Sequence, residues 1–97
     1  MKCSPIQTEN APAAIGPYSQ AVAAGDMLFV SGQLGLDPAT GELTGSDLAS
    51  QARRALENLK AVILAAGLTL EDVAAVDVFL LEMSCFAEFN LIYQEYF

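Results

Sequence analysis

The sequence predicts a single α+β domain with the element order β-β-α-β-α. Three observations predict it. Apolar runs at 27–36 and 73–81, bounded by turn residues, have the composition of strands. Between them, apolar side chains recur at spacings of three and four over residues 48–66, the period of a helix that buries one face. Hydrophobic residues make up 54% of the 97 residues, enough for a packed core and within the size of one domain spanning 1–97.

Residues 1–14 read as irregular, punctuated by Pro5 and Pro12. Gly16-Pro17 marks a turn or strand start, and residues 18–24 form a short strand. Gly25-Asp26 makes a tight reversal into MLFVSGQLGL (27–36), a strand apolar on both faces. DPATGE (37–42) joins a proline to a glycine suited to positive φ, so it is a turn.

Ser46 or Asp47 can cap the first helix, whose core stripe is Leu48, Ala52, Leu56, Leu59 and Ile63. Gln51, Arg54, Glu57, Asn58 and Lys60 fall toward the other side. Gly67 stands where a left-handed cap belongs, with Leu68 as its apolar partner. VAAVDVFLL (73–81) reads as a further strand, and Ser84 as the cap of a second helix with Phe86, Phe89 and Tyr93 on one stripe.

The helices can cover one face of the sheet. Its other face is also apolar, which predicts burial against neighbouring subunits and hence a homo-oligomer. FAEFNLIYQEYF closes in mid-period with neither glycine nor a basic residue, and two long strands are few for two helices. The pattern predicts further strands beyond residue 97.

Charge and composition exclude several functions. The net charge is −8, and the four basic residues, Lys2, Arg53, Arg54 and Lys60, are too few to displace counterions from a nucleic acid or to hold an anionic membrane. No apolar run approaches the roughly 20 residues of a spanning helix, and MKCSPIQTENAPAA lacks the apolar centre of a signal peptide. The expectation is a cytoplasmic protein. Cys3 and Cys85 form no CxxC and read as free thiols. With no histidine, imidazole chemistry is excluded, and two thiols are too few for zinc.

Within these bounds a few residues invite a role. In Ser31-Gly32-Gln33 small and polar groups end an apolar strand, where a ligand can lie against bare backbone. Cys85 follows a helix cap, which favours a thiolate, but it has no base. Arg53 and Arg54 read as solvated charges.

The blocks AIGPYSQAV, MLFVSGQLGLDPATGEL, QARRALENLKAVILAAGLTLEDV and VFLLEM-x-x-FAEFN-x-x-Y-x-x-YF, in this order and spacing, resemble the reactive intermediate deaminase family, RidA or YjgF. The resemblance runs almost end to end. It implies a chorismate-mutase-like α+β fold assembled as a trimer around a central barrel, with active sites in the clefts between subunits. The implied activity is hydrolysis of enamines and imines, such as 2-aminoacrylate, 2-iminopropanoate and 2-iminobutanoate, to 2-oxo acids and ammonia, with no metal or organic cofactor. The implied partners are therefore small acids and further copies of the chain.

By the same resemblance, Tyr18 supplies a hydroxyl to the cleft, Gly32 a stretch of backbone near the ligand, and Asn90 an amide on the second helix. The family's carboxylate-binding arginine and its water-activating glutamate correspond to no residue of these 97. That leaves a second reading, a non-catalytic small-acid binding or regulatory member of the same fold. A nuclease, an activity sometimes attached to the family, fits the charge least.

Overall fold

A computed structural model describes residues 3–97. Three strands, β1 (Cys3–Ile6), β2 (Ala21–Ala24) and β3 (Met27–Val30), form an antiparallel sheet in the order β1-β2-β3. Two helices follow, α1 (Leu48–Ala65) and α2 (Phe86–Tyr93). The α+β class stands, with changes in detail.

The segment read as irregular contains β1. A four-residue strand interrupted by proline has little sequence signal, and Pro5 is tolerated because β1 lies at the sheet edge. The next two strands are shorter than expected. Gly25, at φ +60°, turns the chain between paired Ala24 and Met27 as predicted. Beyond Val30 the pairing survives only as the Ser31 N–H donating to the Gln20 carbonyl at 2.9 Å. The 37–42 turn forms as expected, with Gly41 at φ +75° and the Asp37 N–H donating to the Glu42 carbonyl at 2.8 Å.

Helix α1 obeys its signals. The Asp47 carboxylate accepts from the Ser50 N–H at 3.0 Å, so Asp47, not Ser46, is the cap. At the other end Gly67 adopts φ +81°, and the N–H groups of Gly67 and Leu68 donate to Leu64 and Ile63 carbonyls at 3.0 and 3.1 Å. This is a Schellman closure.

The register puts Ile6, Ala21, Leu28 and Val30 on one sheet face, where with Ala11 they pack on Val62 and Ala61 of α1. A second core joins Ala52 and Leu56 of α1 to Phe89 and Ile92 of α2. Pro5, Val22, Met27 and Phe29 occupy the opposite face, and Met27 and Phe29 are both 59% exposed. The apolar second face is real and uncovered.

Residues 73–81 do not form the predicted strand. Their composition suits one, but a ladder needs a neighbouring strand, and among the described residues none pairs with this segment or with the outer edge of β3. Phe79 and Leu81 consequently stand almost fully in solvent, while Leu80 packs on the α1–α2 core. Ser84 is not the cap of α2. It lies in a 3₁₀ turn, Met83–Cys85, and Cys85 occupies the cap position without a side-chain bond. Phe86 is half exposed, so the buried stripe of α2 is Phe89 and Ile92, with Tyr93 packed beside it.

Candidate functional site

A shallow cavity of about 90 Å³ opens where β3 ends. One wall is the 12–15 segment with Tyr18, and the other is 31–34 with Leu36. Tyr18 and Gly32, expected to share a cleft, both line it. Tyr18 is held by a tight local turn: its N–H donates to the Gly16 carbonyl at 2.9 Å, with Gly16 at φ +119°. Its hydroxyl oxygen accepts from the Ile15 N–H at 3.4 Å, and the ring remains 55% exposed. A Cβ placed on Gly32 would meet no protein atom within 4 Å, so the main chain there borders open space.

Asn90 is not brought to this cavity. It lies exposed on α2, and its residue is absent from both cavity walls. Any role beside Tyr18 requires a second copy of the chain to carry it there. Cys85 is half-buried and Cys3 exposed, and both thiols are free.

The residues that sequence reasoning missed are two buried carboxamides. Gln20, 3% exposed, lines the inner end of the cavity just before β2. Its Oε1 accepts from the Thr8 N–H at 2.7 Å, and its Nε2 donates to the carbonyls of Thr8, Ala11 and Pro12 at 3.0, 3.2 and 2.8 Å. Asn58, fully buried rather than on the polar side of α1, donates from Nδ2 to the Leu34 and Leu36 carbonyls at 3.0 and 2.9 Å. Its Oδ1 accepts from Arg54 Nε at 2.9 Å. Arg54 is therefore a half-buried partner and not a solvated charge. The available signal was positional: residue 58 stands four before buried Val62, inside the true core stripe.

Arg53 is exposed as expected but paired, its guanidinium gripping Glu95 beyond α2 with two 2.9 Å bonds. That pairing holds the Glu95 carboxyl below its ordinary value. Burial, then the nearby Glu57 carboxylate, pushes the Tyr96 phenol up to about 12. Both lie away from the cavity, none of whose lining residues is charged. The cavity offers a hydroxyl, amides and an apolar wall, but no cation for a carboxylate. A larger open groove of about 670 Å³, between α1 and the 8–10 and 37–39 loops, sets Arg54 and Lys60 among Glu9, Asp37 and Glu57. Its size exceeds that of the strand-end cavity, yet its mixed charge favours no ion.

An α+β unit with one uncovered sheet face and a ligand-sized hollow at a strand end is the class that fold and site define. The Endoribonuclease L-PSP family matches residues 8–97, and this chain belongs to that family, the RidA/YjgF proteins. It is 53% identical over 92 residues to a RutC family protein of Pyrococcus horikoshii, covering 95% of this chain and 73% of that one. It is 48% identical to the 2-iminobutanoate/2-iminopropanoate deaminase of Escherichia coli K12, covering 95% and 71%. The crystal structure of E. coli TdcF with bound serine superposes with a TM-score of 0.92 at 45% identity, covering 97% of this chain and 73% of that one.

Proposed function

We propose that this protein hydrolyses small 2-imino acids and their enamine tautomers to 2-oxo acids and ammonia, at the cavity walled by Tyr18 and Gly32. The observation that carries the reading is the convergence of those two residues on one hollow, in a chain 48% identical to an imine deaminase. A small amino acid bound to a structural neighbour supports a ligand of this size.

The chemistry suits a site without imidazole. A protonated imine is already electrophilic, so the protein has to hold the substrate plane, place a water and exclude other nucleophiles. Tyr18 and the main chain at Gly32 hold one edge of that plane. A carboxylate is anchored best by a guanidinium, and the lining residues of the cavity include none. The anchor therefore has to come from outside these walls. Asn90, exposed on α2, faces the cleft from a neighbouring protomer in this reading. The assembly is a homotrimer that buries the outer sheet face.

The test is ammonia release from freshly generated 2-aminoacrylate, using the protein as its gene encodes it. Acceleration above the buffer rate is expected. No acceleration, with 2-oxobutanoate still bound in calorimetry, would favour the non-catalytic binding role. The family's endoribonuclease description calls for one parallel arm with RNA, for which no cleavage is expected. Among the described residues the cations Arg53 and Arg54 are engaged by Glu95 and Asn58, and Lys60 lines a groove with Glu9, Asp37 and Glu57; Lys2 lies outside those residues.

A further inference from the structure

We infer that Gln20 and Asn58 are positioning residues that fix the two walls of the Tyr18–Gly32 cavity. The inference rests on reading that cavity as the substrate pocket. Neither wall belongs to a strand, although 31–36 keeps the Ser31 N–H bond to the Gln20 carbonyl, a single bridge between Leu36 and Leu43, and the Thr44 N–H donating to the Gly35 carbonyl at 3.0 Å. The 12–15 segment lies outside β1 and β2, and 31–36 lies beyond the end of β3. Backbone groups in such segments need partners, and a loop without them wanders on the scale of the ligand.

The side chain that ties each wall to the buried interior is a carboxamide. Gln20 reads the 8–12 segment from both sides, accepting from one N–H and offering its two amide hydrogens to three carbonyls. The last of those carbonyls belongs to Pro12, the first residue of the wall. Asn58 spans the other wall by holding Leu34 and Leu36, both lining residues, and Arg54 fixes which end of its amide faces them. Only a carboxamide does this. A carboxylate has no donor for the carbonyls, and an apolar side chain would leave several buried polar groups unpaired. Gly35, between the two carbonyls, completes the clamp: a Cβ there would lie 2.6 Å from the Gln51 Cα of α1.

The test uses Gln20→Met and Asn58→Leu in the protein as its gene encodes it. At a temperature where both remain folded, each is expected to weaken 2-oxobutanoate binding about tenfold or more. Ile92→Val, which loosens the α1–α2 core, is expected to leave the affinity within about twofold. In turnover, the two wall variants raise KM and lower kcat together, and Ile92→Val changes neither. Wild-type affinity in either folded wall variant would overturn the inference. A wild-type protein that binds no 2-oxo acid would instead overturn the pocket reading. The walls are then read by amide hydrogen exchange at 13–15 and 32–34, expected to quicken about tenfold in the variants. Unchanged exchange would overturn the inference. If the apolar variants do not fold, Gln20→Glu and Asn58→Asp keep the shape, remove the donors, and are judged by the same outcomes.

Discussion

The two faces of the three-stranded sheet have nearly the same chemistry and opposite fates. Ile6, Ala21, Leu28 and Val30 are packed on α1, whereas Pro5, Val22, Met27 and Phe29, one residue out of step, lie outside that cluster, with Met27 and Phe29 largely exposed. Alternation along a strand assigns side chains to faces but does not say what covers a face. An apolar face left in water has the character of a binding surface, and Phe79 and Leu81 are exposed apolar side chains as well. The difference teaches that folding of one chain completes the inner face, and that the outer one is left for the assembly proposed above.

The sharpest way to break this contrast is a charge on each face. Ala21→Asp, at a position 1% exposed against α1, puts an unpaired carboxylate into the core. It is expected to cost upwards of about 4 kcal/mol and yield little folded protein, read by circular dichroism. If the proposed trimer forms, Phe29→Asp on the outer face is expected to keep the helical signal and shift the protein from trimer to monomer in analytical ultracentrifugation. A trimer that survives Phe29→Asp would refute the assignment of the outer face.

Gly35→Ala tests how tightly the inner side is closed. The added methyl meets the α1 backbone at Gln51, which cannot move aside as a side-chain tip would. The expected loss is about 1–3 kcal/mol in urea unfolding, and an unchanged midpoint would show that α1 does not press on this loop.

Two smaller effects follow from the contacts that fasten the last residues to α1. The Tyr96 phenol, raised by burial from 10.0 to about 12, is held neutral in the folded state. Its contribution is complete below pH 10 and is lost as pH rises from 10 to about 12, because the unfolded phenol ionises first. Tyr96→Phe should therefore flatten the fall of Tm across that range. The Arg53–Glu95 pair is exposed on both sides and has the smallest expected effect. Glu95 is lowered from its ordinary 4.5, so the pair contributes above that pH and fades as the medium becomes more acidic. Arg53→Ala and the wild type should converge in Tm in acid and in high salt.

Legibility followed the range of the forces involved. Helix α1, its Asp47 cap and its Gly67 closure were visible because each depends on neighbours within a few residues. The Gly25 and Gly41 turns were visible for the same reason. Strand β1 was hidden because four residues containing a proline become a strand only when Val22 and its neighbours lie alongside. The opposite error occurred at 73–81, where suitable residues lack a partner. Tyr18 and Gly32 were singled out through family resemblance; the structure shows that both line one cavity, and their roles there belong to the proposal. Gln20 and Asn58 were missed because their partners are backbone carbonyls of loops, which carry no residue-type signal.

The sequence alone determined where the chain turns, where it coils into α1 and that both sheet faces would be apolar, since local sterics and periodicity decide these. Only the tertiary structure decided which face α1 covers, that residues 73–81 find no strand partner among the described residues, and that two amides distant in sequence grip opposite walls of one hollow. Those outcomes depend on which groups lose water together, and that is settled by the packed chain as a whole.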